Sequence, residues 1–456
     1  MSLFEPLLPD ASRRHVRWHQ LYGSAPSLAL AEAAARAGGL LLVVCASTRE
    51  VERRAAEIGF YSDGHVPILE FADWEVLPYD RFSPHPDITS GRLATLADLP
   101  VAGGGVLLVA ADTLLGRLPP AEYIAGRSFR LARGERLALE PLRARLVASG
   151  YVAVSQVTGP GEFALRGSLL DVFPMGSPQP LRIDLFDDEI EAIRRFDPDT
   201  QRSLDTLDSV RLLPARETPL DPDAVRAFRR RYRARFEGDP TRSAIYRGVS
   251  EGLAPPGIEF YLPLFHETTS ILTDFLPAGT LLVAGPGLET DLCRAWEEIA
   301  ARYEAHRHDI ERPLLAPAEV YAPPRDVLAH LQAFPSITLE AVKSEHAADA
   351  TGASRNFPSV APRELRLDVR ADEPLAPLDA FLANYAGRVL IAVDSAGRRE
   401  VLVDMLRGHR TSVAPVEGWG AFAGGTGRFA LTVAPEIEGL TITSPAITVL
   451  AESQLF

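Results

Sequence analysis

Residues 40–45, LLLVVC, form an apolar run with no polar position. A strand that buries one face alternates apolar and polar residues, so an unbroken run has to be covered on both faces. That is the situation of a strand inside a parallel sheet flanked by helices. The neighbouring segments agree. Residues 26–37 read as an alanine-rich helix with Pro26 in its first turn and Gly38-Gly39 at its end. STREVERRAAEIGF is a second helix, VPILEF and GGVLLVAA are further buried strands, and ITSGRLATLADL is helical between them. Strand and helix alternate to about Pro119, which predicts a parallel α/β sheet.

The texture then changes. GEFALRGSLLDVF and PLRIDLFDDEIEAIRRF alternate with a period near two and are broken by PMGSPQP and DPDT, the pattern of a hairpin-rich insert. Helices and short strands (GTLLVAG, SITLEAV) return after Pro222 and complete the first domain. Residues 346–362, HAADATGASRNFPSVAP, are small and polar and read as a linker. The segments PLDAFLANYAGRVLIAVDS, REVLVDMLRGH, TSVAPV, RFALTVAPEI and ITVLAES make a last α/β module. The expected organisation is therefore an α/β domain in two parts, 1–119 and 214–345, an insert at 120–213, a linker at 346–362 and a small α/β domain at 363–456.

Several function classes recede on composition. The net charge of −14 over 456 residues disfavours a broad, non-specific grip on nucleic acid. Two cysteines, Cys45 and Cys293, make neither a disulfide framework nor a zinc site by themselves. No apolar run reaches the length of a membrane span and the first residues do not form a signal segment, so a cytoplasmic protein with no membrane partner is expected. Lys343 is the only lysine, the other basic residues all being arginine.

Four stretches carry candidate chemistry. The turn entering the first helix reads Gln20-Leu21-Tyr22-Gly23-Ser24-Ala25-Pro26-Ser27. A phosphate-binding loop there needs glycines at the places of Gln20 and Ala25, and a lysine at the place of Pro26. Proline removes both the charge and a backbone donor. The loop is therefore degenerate, with no bound cofactor expected, and the acidic pair of FDDEIEAI lies in a hairpin of the insert, not at the end of a motor-type strand. His85 with Asp80 and Asp87 resembles a metal or acid/base cluster, against the simpler reading that Asp87 caps a helix. Arg226, Arg229, Arg230, Arg231, Arg233 and Arg235 alternate with Val225, Phe228, Tyr232 and Phe236. The apolar set falls at helical spacing and reads as a buried stripe, with the arginines as a solvated face or a DNA contact. In the strand RIDLFDDE, Leu181, Ile183 and Leu185 point one way while Arg182, Asp184 and Phe186 point the other. Arginine and aromatic side chains on one outer face fit a protein interface, with Arg166 of the adjoining strand beside them; a Phe186 shielded by a neighbouring strand is the alternative.

Together, DWEVLPYDRFSPHPDITSGRLATL, GEFALRGSLLDVFPMGS, RIDLFDDEIEAIRRFDPDTQRS and PPGIEFYLPLF resemble the N-terminal, UvrB-like portion of the transcription-repair coupling factor family, Mfd. The resemblance covers nearly the whole chain. It implies a degenerate P-loop-NTPase-like α/β domain carrying an inserted domain that binds UvrA, with the family's two contact arginines and phenylalanine at Arg166, Arg182 and Phe186. It further implies a non-catalytic module, without metal or cofactor, of a protein that links stalled RNA polymerase to nucleotide excision repair as an ATP-driven translocase on double-stranded DNA. The family's polymerase-binding and motor domains are expected beyond ESQLF. UvrB's lesion-clamping hairpin has no room between Tyr79 and Ile88. The competing expectations are a nucleotide-dependent UvrB-type helicase or ATPase, and a DNA-binding protein using the 226–235 arginines.

Overall fold

A computed structural model describes residues 3–345, 352–367, 373–406 and 413–455. The chain begins with β1 (His15–His19), α1 (Ala25–Ala37), β2 (Leu40–Cys45), α2 (Thr48–Tyr61), β3 (Ile68–Phe71), α3 (Pro86–Asp98) and β4 (Gly105–Ala110). Pro26 opens α1 and Gly38, at φ 62°, closes it in the left-handed conformation. The unbroken run of β2 is buried on both sides as expected. Leu40, Leu42 and Val44 enter one core; Leu41, Val43 and Cys45 enter the other.

The chain then leaves the sheet through α4 (Ala121–Arg127), β5 (Phe129–Ala132) and α5 (Leu139–Ala148). The six-stranded sheet of the insert follows: β6 (Val152–Ala153), β7 (Glu162–Arg166), β8 (Leu169–Val172), β9 (Leu181–Phe186), β10 (Glu189–Phe196) and β11 (Ser203–Leu207). Its pairings are antiparallel except β6 with β7. β12 (Ser209–Leu212) returns antiparallel to β5 and closes the base of the excursion.

α6 (Pro222–Arg235), α7 (Ala244–Ser250), β13 (Leu281–Ala284), α8 (Leu288–His306), α9 (Pro317–Val320), α10 (Pro324–Leu331) and β14 (Ser336–Leu339) bring the chain back. β13 and β14 join the first sheet, whose seven strands run in the order β15-β1-β14-β13-β2-β4-β3, all parallel. The stretch expected to be a linker is structured where it is described. β15 (Ser354–Asn356) extends that sheet beside β1, and β16 (Ser359–Val360) pairs with a strand of the last sheet. Residues 346–351 lie outside the described residues. The edge of β1 offers a row of backbone partners, which a polar segment can satisfy without any apolar period.

The last unit holds α11 (Ala376–Asn384), β17 (Arg388–Val393), α12 (Ala396–Leu406), β18 (Ala414–Pro415), α13 (Trp419–Gly424), β19 (Phe429–Val433), β20 (Leu440–Thr443) and β21 (Ala446–Ala451). Residues 407–412, the end of REVLVDMLRGH and the start of TSVAPV, lie outside the described residues. The sheet order is β16-β20-β21-β17-β19-β18, with β21, β17, β19 and β18 parallel. The unit does not stand apart. Trp419, Phe422, Ile437 and Leu440 share one core with α1, α2 and the first sheet, and the Trp419 ring meets Tyr61 edge-on at 5.0 Å. Among the described residues no helix is long and apolar enough to cross a membrane.

Candidate docking surface

β9 alternates as its sequence demands. Leu181, Ile183 and Leu185 are buried in the insert's core, where Leu170 and Val172 of β8 and Ile190 and Ile193 of β10 meet them. Arg182, Asp184 and Phe186 face the other way. Phe186 ends the strand and is 75 % exposed, so no adjacent strand shields it. It pairs with Glu189 across a tight turn in which Asp187 has φ 58°.

The register places Arg166 on the same face. Arg166 pairs with Leu169, and Leu169 with Asp184, so Arg166 lies two strands across from the residue between Arg182 and Phe186. Its guanidinium is exposed and donates to the Ser155 carbonyl.

Arg182 is of another kind. Its Nε and Nη2 donate to the two Asp171 oxygens at 2.8 and 2.9 Å, and Nη1 donates to the Gln201 carbonyl at 3.3 Å. Its guanidinium sits 4.8 Å from the centre of the Phe196 ring. Asp171 is 1 % exposed. Val157, Ala164, Phe173 and Phe196 form a small core over this end of the outer face, which explains why the aspartate is covered. The Asp171 carboxylate pushes the Arg182 guanidinium above its ordinary range. Arg182 thus holds the face together and shows the solvent only its edge.

The same face also carries Arg194 and Thr206, which were not among the candidates. Asp184 accepts from Arg194 of β10, whose partner on β11 is Thr206.

The turn at α1 is closed over. Ser24 and Ser27 are fully buried. The Ser24 N–H donates to the Gly439 carbonyl at 3.1 Å, and Ser27 Oγ donates to Glu57. Gln20 Nε2 donates to the Ser359 carbonyl at 2.9 Å. His85, Asp80 and Asp87 do not converge on one centre. His85, not Asp87, is the N-cap of α3, its Nδ1 accepting from the Asp87 N–H, because Pro86 takes the first helical position. The Asp80 carboxylate accepts from the Arg81 N–H. In α6, Val225, Phe228 and Tyr232 are the buried stripe. Arg226 pairs with Asp223, Arg229 with the Tyr246 hydroxyl, Arg231 with the Leu264 carbonyl and Arg235 with Glu319; Arg233 lies over the Tyr246 ring.

Residues 129–217, which open with β5 and end just after β12, match the family described as the UvrB interaction domain. Residues 381–455 match the D3 domain of MFD. The transcription-repair-coupling factor of Haemophilus influenzae is 38% identical over 408 residues, covering 89% of this chain and 35% of that protein. That of Escherichia coli is 39% identical over 398 residues, covering 87% and 34%. This chain is a homologue of the transcription-repair-coupling factors. It spans about a third of the length of the curated relatives it matches. A factor of the same name from Mycobacterium tuberculosis is 33% identical over 300 residues, 62% of this chain. The exposed β9–β10 hairpin therefore lies within the stretch of this chain that matches the UvrB interaction domain.

Proposed function

We propose that this chain is the UvrA-recruiting part of a transcription-repair coupling factor and acts by surface complementarity alone. Phe186 is the apolar anchor, Arg166 flanks it as an exposed charge, and Arg182 fixes the strand that presents both. One observation carries the reading: a large aromatic ring, 75 % exposed, is held at the end of a strand whose opposite face is packed. Exposed aromatic rings on rigid supports are the side chains around which interface energy concentrates. In the whole coupling factor, docking of UvrA would connect RNA polymerase stalled at a lesion to excision repair, with ATP-driven movement on double-stranded DNA supplied by the family's motor.

The same proposal holds that these residues hydrolyse no nucleotide. Pro26 at the lysine position supports it, as do the internal partners of Ser24 and Ser27. Calorimetric titration of UvrA into the chain tests the docking role. Saturable binding that ATP leaves unchanged is expected, and absence of binding heat overturns it. Phosphate release above buffer background, with or without duplex DNA, would overturn the non-catalytic part.

A further inference from the structure

A helix start draws an anion through its free N–H donors. At α1, Ala25 donates to the Tyr22 carbonyl, Ser27 and Leu28 donate to the Ser24 carbonyl, and Pro26 has no N–H. The N–H of the cap residue Ser24 reaches out of the turn. Here the acceptor is already present and comes from the last unit. The Gly439 carbonyl accepts from the Ser24 N–H at 3.1 Å and lies 3.4 Å from Ser24 Oγ. Tyr61 Oη is 2.6 Å from the same Oγ, and burial pushes its phenol well up, so it stays protonated. Gly23 has φ +55°, and a Cβ there would stand 2.1 Å from the Gly439 oxygen and 2.6 Å from Pro362 Cγ. Only glycine admits this approach.

The next peptide is held as closely. Glu57, 1 % exposed, receives the Glu438 N–H on Oε1 at 3.0 Å and the Ser27 hydroxyl on Oε2. Arg53 of α2 pairs with the Glu438 carboxylate. Gln454 braces Gly439 from behind: its Oε1 accepts from the Ala451 N–H and its Nε2 donates to the Arg363 carbonyl, both at 2.9 Å. A Cβ on Gly439 would fall 2.0 Å from that Oε1. Ser359 closes the other side of the turn, its hydroxyl donating to the Gln20 carbonyl and accepting from the Tyr22 N–H at 3.1 Å.

We propose that the Gly439 carbonyl is a built-in ligand of the α1 turn, in the place of an external anion, and that together with the Glu438 N–H it locks the last unit to the first sheet. The occupant belongs to the chain itself. Glycine at 23 and at 439 and the buried Glu57 are the residues that let it seat.

Lys343, exposed just after β14, is the chain's only lysine, so a lysine-specific endoproteinase cuts the protein once, between β14 and β15. After the cut the two pieces of the wild-type protein should co-elute as one species, with the Ser24 amide still protected from hydrogen exchange. Glu57→Ala leaves the Glu438 N–H and the Ser27 hydroxyl without their acceptor, and should weaken the association of the cut pieces by roughly tenfold or more. Gly439→Ala, which leaves residues 1–343 unchanged, should do the same by driving Gln454 off its seat, and decides the matter if Glu57→Ala does not fold. Separation of the wild-type pieces, or cut Gly439→Ala pieces as tightly associated as wild type, would overturn the proposal.

Discussion

The α1 turn and the β9–β10 hairpin are both places where a sequence pattern points to a ligand, and folding treats them in opposite ways. At the turn, the Ser27 hydroxyl is satisfied by Glu57, the Ser24 N–H by the Gly439 carbonyl, and the Ala25 and Ser27 N–H groups by carbonyls of the turn itself. At the hairpin, the apolar half of β9 is buried while Phe186 remains in water at the end of the strand. A polar group without a partner is costly only when buried, and an aromatic ring is wasted only when exposed. The hairpin holds the second kind of deficit, the kind that the proposed docking of a partner would relieve.

Four substitutions or titrations bear on this contrast. The largest effect is expected from Arg182→Glu. It breaks a bidentate pair with an aspartate that is 1 % exposed, and should destabilise the fold by about 3–5 kcal/mol in denaturant unfolding. Loss of partner binding in that variant would therefore say little about the interface. Arg166→Glu removes an exposed charge and should leave stability within about 0.5 kcal/mol. It should slow UvrA association by roughly tenfold at low salt, with less effect as salt is raised, as followed by stopped flow. Arg226→Ala, at an exposed pair with Asp223, should change stability by less than about 0.5 kcal/mol and leave any duplex affinity unchanged in a salt titration. The smallest effect concerns pH. Burial raises the Glu57 carboxyl above its ordinary 4.5, so the folded state holds that proton more tightly than the unfolded chain. Its contribution to stability is full below about pH 4.5 and is lost as pH rises through the raised value. The difference in melting temperature between wild type and Glu57→Gln should follow that decline.

Much of the scaffold was legible because burial on two faces and burial on one face leave different marks. LLLVVC could only be an interior parallel strand, and RIDLF could only turn its arginine, aspartate and phenylalanine to one side. The ends of α1 were written in Pro26 and Gly38. What escaped were partnerships made across long sequence separations. Asp171, inside the run SLLDVF, gives no sign that residues near Val157 and Phe196 fold over it. Consequently Arg182 looked like a free interface residue, whereas it is the partner of a buried charge. The polar stretch around Ser354 has no apolar period, yet pairs with β1 because that strand has an open edge. Asp87 looked like a cap by residue type, but Pro86 moved that role to His85. The lost glycines and lysine of QLYGSAPS marked the turn as degenerate, and no local pattern announced that Gly439 would fill it.

Phe82 provides an internal control for the hairpin, being another exposed phenylalanine at 68 % against 75 % for Phe186. Calorimetric titration of UvrA into wild type, Phe186→Ala and Phe82→Ala is the most direct measurement. Phe186→Ala should lose at least roughly 30-fold in affinity, corresponding to about 2 kcal/mol for an interface anchor, with its unfolding unchanged, while Phe82→Ala binds as wild type. Equal affinities for Phe186→Ala and wild type would contradict the assignment of the hairpin as the docking surface.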